Sequence, residues 1–100
     1  MEEIIMQLIA NGGDARSRAM EAISKAKSGD IKRAKELIEE ASEAIDRAHD
    51  FQTQLIQDEA DGSKVEISLL MVHAQDHFMN AMTVRDLAVQ FVDLYEKTIK

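Results

Sequence analysis

A chain of 100 residues with 45% hydrophobic side chains is long enough for one domain with a thin core. It carries 19 acidic against 12 basic side chains, a formal net charge of −7, and no cysteine or proline. Without cysteine there is no disulfide framework and no Cys-ligated zinc or iron–sulfur site. The negative charge, with only three Phe and one Tyr, speaks against nucleic acid as a partner and favours basic protein partners. Met1-Glu2-Glu3 lacks the basic start of a signal peptide, and no apolar run approaches the roughly 20 residues that cross a bilayer. The expectation is a single cytoplasmic domain over residues 1–100 that does not insert into the membrane.

In chain order, Ile5, Leu8, Ile9, Ala15, Ala19, Ala22, Ile23 and Ala26 recur every three or four positions and predict a helix over about 2–27. Asn11-Gly12-Gly13 interrupts it, and each glycine costs about 1 kcal/mol against alanine in a helix interior. The apolar register carries across the glycines, which favours a continuous helix that is bent there or closely approached by another backbone. A break with a restart capped by Asp14 is the alternative. Ser28-Gly29-Asp30 reads as a stop and a start, with Gly29 at the C′ position and Asp30 as the next N-cap.

The second helix is predicted over about 31–57, burying Ala34, Leu37, Ile38, Ala41, Ala44, Ile45, Ala48, Leu55 and Ile56. Its opposite face, with Glu36, Glu39, Glu40, Glu43, Asp46 and Arg47, reads as solvated. A polar connection around Asp61-Gly62-Ser63 leads to a third helix over about 65–98. Three long helices joined by short connections give an all-α, antiparallel, up-down-up three-helix bundle.

The third helix is apolar nearly all round from Ile67 to Met82, and a helix of that kind must be covered on every side. The outward side of an isolated bundle would expose a large patch, so self-association through this segment is expected. A methionine-rich surface gripping another partner helix is the alternative. Inside the segment lies Val72-His73-Ala74-Gln75-Asp76-His77-Phe78-Met79-Asn80. At about 100° per residue, Asp76 falls near −60° from His73, His77 near +40° and Asn80 near −20°. Leu69, Leu70, Val84, Leu87, Phe91 and Leu94 share this stripe, which places polar groups on the face expected to be buried.

Three chemistries fit that cluster. His73 and His77 can be core histidines, one of them bonded to Asp76, since each buried polar group needs a partner. Their i, i+4 spacing also suits zinc, but Ala74 stands where a zincin has Glu, and Asp76 where the inverted pattern has Glu. Only His49 or a carboxylate is left as a third ligand, and Asp46 with His49 has no matching Glu-x-x-His partner for a di-metal bundle. Alternatively one imidazole is a nucleophile that carries a phosphoryl group, its tautomer fixed by a neighbouring carboxylate or amide. Spacing leaves all three open.

The VHAQDH run at residues 72–77, with Met79 after it, resembles the lactose/cellobiose-type IIA component of the bacterial phosphoenolpyruvate-dependent sugar phosphotransferase system. Asn11, Gly13, Ala15, Arg16 and Ser17 match as well, as do Ala26, Lys27, Gly29, Asp30, Ala48, His49, Gln52, Thr53, Leu55 and Ile56. Asp14 stands where relatives often have glutamine.

The resemblance implies that His73 accepts phosphoryl from the carrier HPr and donates it to a cysteine of a IIB protein, which serves a membrane IIC partner in disaccharide uptake. It implies a homotrimer, nine helices in all, with the third helices about the axis. It also implies that three copies of Asp76 share a divalent ion, magnesium, there. Gln75, about 200° from His73 on its own helix, can then reach a neighbour's site, and His77 and Gln75 are expected to donate hydrogen bonds to the phosphoryl oxygens. No Lys or Arg follows His73 until Arg85, so weak fixed positive charge is expected. A non-catalytic helical adaptor is the alternative function.

Overall fold

The computed structural model describes residues 2–98, which form three α-helices: α1 Glu2–Lys27, α2 Ile31–Ala60 and α3 Leu69–Thr98. Met1, Ile99 and Lys100, included in the one-domain expectation, lie outside the described residues. The helices lie side by side in a body of 56 × 21 × 16 Å. Helix α1 packs against both others, whereas α2 and α3 touch each other far less. Among the described residues no helix is long and apolar enough to cross a membrane.

Both reversals are set by glycine. Gly29 has φ +94°; its N–H donates to Ala26 O at 3.0 Å, and Asp30 N–H donates to Lys25 O at 2.9 Å. This paired closure satisfies the last carbonyls of α1 and requires a left-handed residue. Asp30 then caps α2, its carboxylate accepting from Arg33 N–H at 3.1 Å. Gly62, with φ +95°, repeats the device, with Gly62 N–H donating to Glu59 O and Ser63 N–H to Asp58 O. Helix α2 therefore runs to Ala60, past the expected end near Gln57, because the left-handed glycine ends it rather than the first acidic residue.

Helix α3 starts at Leu69, not near Val65. Ser68 is its cap: its hydroxyl accepts from Met71 N–H at 3.1 Å and its carbonyl from Val72 N–H at 3.0 Å. The six residues before Leu69 carry no helix.

The core is an alanine seam. Ala15, Ala19, Ala22 and Ala26 of α1, Ala34, Ala41, Ala44 and Ala48 of α2, and Ala74, Ala81 and Ala88 of α3 are all fully buried. Phe78, Leu8 and Leu37 are the largest fully buried side chains. Ile38 of α2 is half-buried and Ile56 is exposed, so the buried face of α2 is narrower than its periodicity suggested.

Helix α1 continues through both glycines, and one of them meets α3. A Cβ on Gly12 would lie 3.3 Å from His77 C and O and 3.4 Å from Phe78 N, whereas one on Gly13 would meet nothing within 4 Å. The same substitution should therefore have opposite effects at adjacent positions. Gly13→Ala gains helix propensity alone, about 1 kcal/mol, and should raise Tm by about 4–8 °C. Gly12→Ala makes the same gain but must push two helix backbones apart along a tightly packed seam, and Tm should fall. Thermal unfolding of both variants at one protomer concentration checks this; a rise for Gly12→Ala would contradict the close approach.

Candidate functional site

The face of α3 that enters the core consists of Met71, Ala74, Phe78, Ala81, Ala88 and Val92. It is not the stripe expected from the sequence. Leu69 (86% exposed), Leu87 (53%), Phe91 (43%) and Leu94 (55%) point out of the chain, and Val84 is only half-buried. The physical reason is the alanine seam. Where Gly12 brings α1 against the α3 backbone, only small side chains or one well-placed ring fit between the helices. The larger leucines are left on the other side, about 130° round the helix.

The polar cluster lies on that outward face. His73, Asp76 and Asn80 are exposed and His77 is half-buried, so the reading of these histidines as core residues is overturned. His73 Nε2 and His77 Nε2 lie 3.1 Å apart, with ring centroids 4.4 Å apart and planes at 82°. At that distance one nitrogen donates and the other accepts, so the pair shares a single proton along the contact. The i, i+4 spacing on one helix makes this possible.

His73, Asp76, His77 and Asn80 line a cleft of about 150 Å³ together with Arg16, which comes from α1. The sequence showed no cation close to His73 along α3. Arg16 arrives through tertiary packing: α1 and α3 run parallel, Gly12 faces His77, and a side chain one turn further along α1 leans back towards its N-terminus. The signal that could have found it was the paired glycine, once matched to the site helix.

Gln75 is not in this cleft. Its Oε1 accepts from Gln52 Nε2 of α2 at 2.8 Å, on the other side of α3. His49 also lies outside it, its ring tilted 48° to Phe78 with centroids 6.3 Å apart. It therefore does not provide the third ligand that a zinc site on His73 and His77 would need. Among the described residues no group of three or more His, Asp or Glu side chains could hold a metal ion.

Three helices around an alanine seam, with two touching imidazoles on an outward helix face, define an α-helical protein whose histidine pair lies in an open surface cleft rather than an enclosed pocket. Residues 3–96 match the family of lactose/cellobiose-specific IIA subunits of the phosphotransferase system, and the chain belongs to that family. It is 58% identical over 97 residues to the lichenan-specific phosphotransferase enzyme IIA component of Bacillus subtilis (strain 168), covering 97% of this chain and 88% of that protein.

The crystal structure of the cellobiose-specific enzyme IIA from Bacillus anthracis superposes with a TM-score of 0.94 at 58% identity, covering 96% of this chain and 88% of that one. The IIA(Chitobiose) solution structure from the Escherichia coli phosphotransferase system, solved as a complex with HPr, gives a TM-score of 0.80 at 41% identity. There the coverage is 96% of this chain and 93% of that one. The chain is thus a phosphotransferase component, and the non-catalytic adaptor is set aside.

Proposed function

We propose that this protein is a cytoplasmic phosphoryl carrier that accepts phosphoryl from phospho-HPr on His73 and passes it to a cysteine of a IIB partner, in uptake of a lactose/cellobiose-type sugar. One observation carries the reading: an exposed imidazole whose Nε2 is held against a second Nε2, in a chain of the IIA family. The solution structure of a 41% identical IIA bound to HPr supports HPr as the donor.

Transfer needs a lone pair on the accepting nitrogen. With His73 protonated on Nδ1 and His77 on Nε2, the 3.1 Å contact is a hydrogen bond from His77 to the His73 Nε2 lone pair. That lone pair forms the new N–P bond as the donor's P–N bond breaks, and the electron pair of the broken bond stays on the donor nitrogen. The ring then carries phosphoryl on Nε2 and hydrogen on Nδ1, a cationic imidazolium ready to leave in the next step. There a cysteine thiolate forms the S–P bond and the N–P pair returns to His73. His77 Nε2–H, released from the lone pair, donates to a phosphoryl oxygen throughout. Most of the catalysis is positioning and electrostatics.

The exposed Leu69, Leu87, Phe91 and Leu94 support a homotrimer, because association would cover them with the same stripe on two other copies. Gln75, bonded here to Gln52, faces away from its own His73, and its amide would have to leave Gln52 to reach a neighbour's phosphoryl group in such a trimer. Asp76 shares the exposed stripe with these apolar residues. Its carboxylate is a hard oxygen donor of the kind magnesium takes, and three copies provide the donor set that one chain lacks. A divalent cation bound there would offset the repulsion of three carboxylates.

Incubation of the purified protein with phosphoenolpyruvate and the general phosphotransferase proteins tests the reading. An acid-labile gain of one phosphoryl group per chain is expected, and no gain would refute it.

A further inference from the structure

The cleft that would receive the phosphoryl group is lined by one fixed cation, Arg16, and no described residue forms an ion pair with it. Of the five arginines, Arg18 pairs with Asp14 and Glu40, Arg33 with Glu36 and Glu40, Arg47 with Asp14, and Arg85 with Asp86. Among the described arginines, Arg16 alone forms no ion pair, and Arg16 is the one that lines the cleft beside His73, Asp76, His77 and Asn80.

We propose that Arg16 is a catalytic residue for the phosphoryl group on His73, its guanidinium binding the phosphoryl oxygens during arrival and departure. This rests on the carrier reading above. The chemistry selects the residue type. The transferring group brings about −1.5 to −2 charges into a cleft that already holds the Asp76 carboxylate. His77 can donate one hydrogen bond along the existing contact, and no other cation lines the cleft. A guanidinium carries a permanent charge and a planar fork of donors that matches two phosphoryl oxygens, whereas an ammonium offers a point charge. The reach is also adjustable. Arg16 stands exposed on α1 while His73 is on α3, so the side chain can meet the group and release it without moving either helix.

The test uses the full chain with phospho-HPr as donor, comparing wild type, Arg16→Ala, Arg16→Lys and Lys97→Ala. Lys97→Ala removes one positive charge from the far end of α3 and controls for net charge. Arg16→Ala is expected to lower kcat about tenfold to a hundredfold, equivalent to about 1.4–2.8 kcal/mol, and to shorten the lifetime of the isolated phosphohistidine. Arg16→Lys should recover part of the rate, and Lys97→Ala should match wild type.

An effect of Arg16→Ala on KM alone would reduce Arg16 to a docking contact and overturn the proposal. So would unchanged kcat and lifetime, or an equal loss in Lys97→Ala. Unaltered helical circular dichroism separates these outcomes from misfolding. A wild-type chain that takes up no phosphoryl group would instead overturn the carrier reading, and this inference with it.

Discussion

His73→Ala is expected to abolish phosphoryl uptake, while His77→Ala leaves it about tenfold to a hundredfold slower. The difference follows from what each ring supplies. His73 provides the lone pair that becomes the N–P bond, and no neighbouring group can replace it. His77 provides one hydrogen bond to a developing anion, a contact to a charged group of about 1.5–3 kcal/mol, which converts to the fold-change stated. Removing His77 also releases the tautomer of His73, so part of the loss should appear as a smaller fraction of competent enzyme. Neither variant should unfold: His73 is exposed and His77 half-buried, and neither belongs to the core. Initial rates from phospho-HPr, with helical content checked alongside, give both numbers. Uptake retained by His73→Ala would move the acceptor to another residue.

The second large effect is expected on assembly. Leu87→Asp combined with Leu94→Asp should convert the proposed trimer into monomers that keep their helices. Each leucine is about half exposed in the single chain, so the chain's own core does not depend on either. Covering the exposed half of a leucine side chain contributes about 0.8–1.5 kcal/mol, and the pair acts in every subunit. The aspartates remove that term and add like charges where the stripes would meet, on a chain already at −7. Sedimentation equilibrium reads the subunit number directly. A doubly substituted protein that stays trimeric would place the interface on another face.

How much of this was legible in the sequence depended on contrast. Helices α1 and α2 have a strong apolar/polar contrast, and the turn between them carries glycine with an N-capping aspartate, so Gly29 and Asp30 could be read directly. The doubled glycine announced a close backbone approach, and Gly12 makes one at His77. Helix α3 has no such contrast between Ile67 and Met82. With apolar residues all round, periodicity cannot choose which face enters the core, and the larger side chains drew the choice to the wrong one. Size decided it, because the seam opposite is alanine.

Residues far apart in sequence gave weaker signals. The histidine pair was visible because both rings lie one turn apart on a single helix. Arg16 was not, since its place beside His73 depends on how α1 and α3 are aligned along their length. The start of α3 was misplaced for a local reason: Val65 and Ile67 extend the apolar run of α3 towards its N-terminus, while the cap is Ser68.

The most direct test of the account is a long-range proton–nitrogen correlation spectrum of the three imidazoles, recorded before and after phosphorylation by phospho-HPr. The account predicts a large shift of His73 Nε2, a smaller change at the hydrogen-bonded His77 Nε2, and no change at His49. A phosphorus-coupled nitrogen on His49 or His77, or no imidazole nitrogen altered at all, would contradict it.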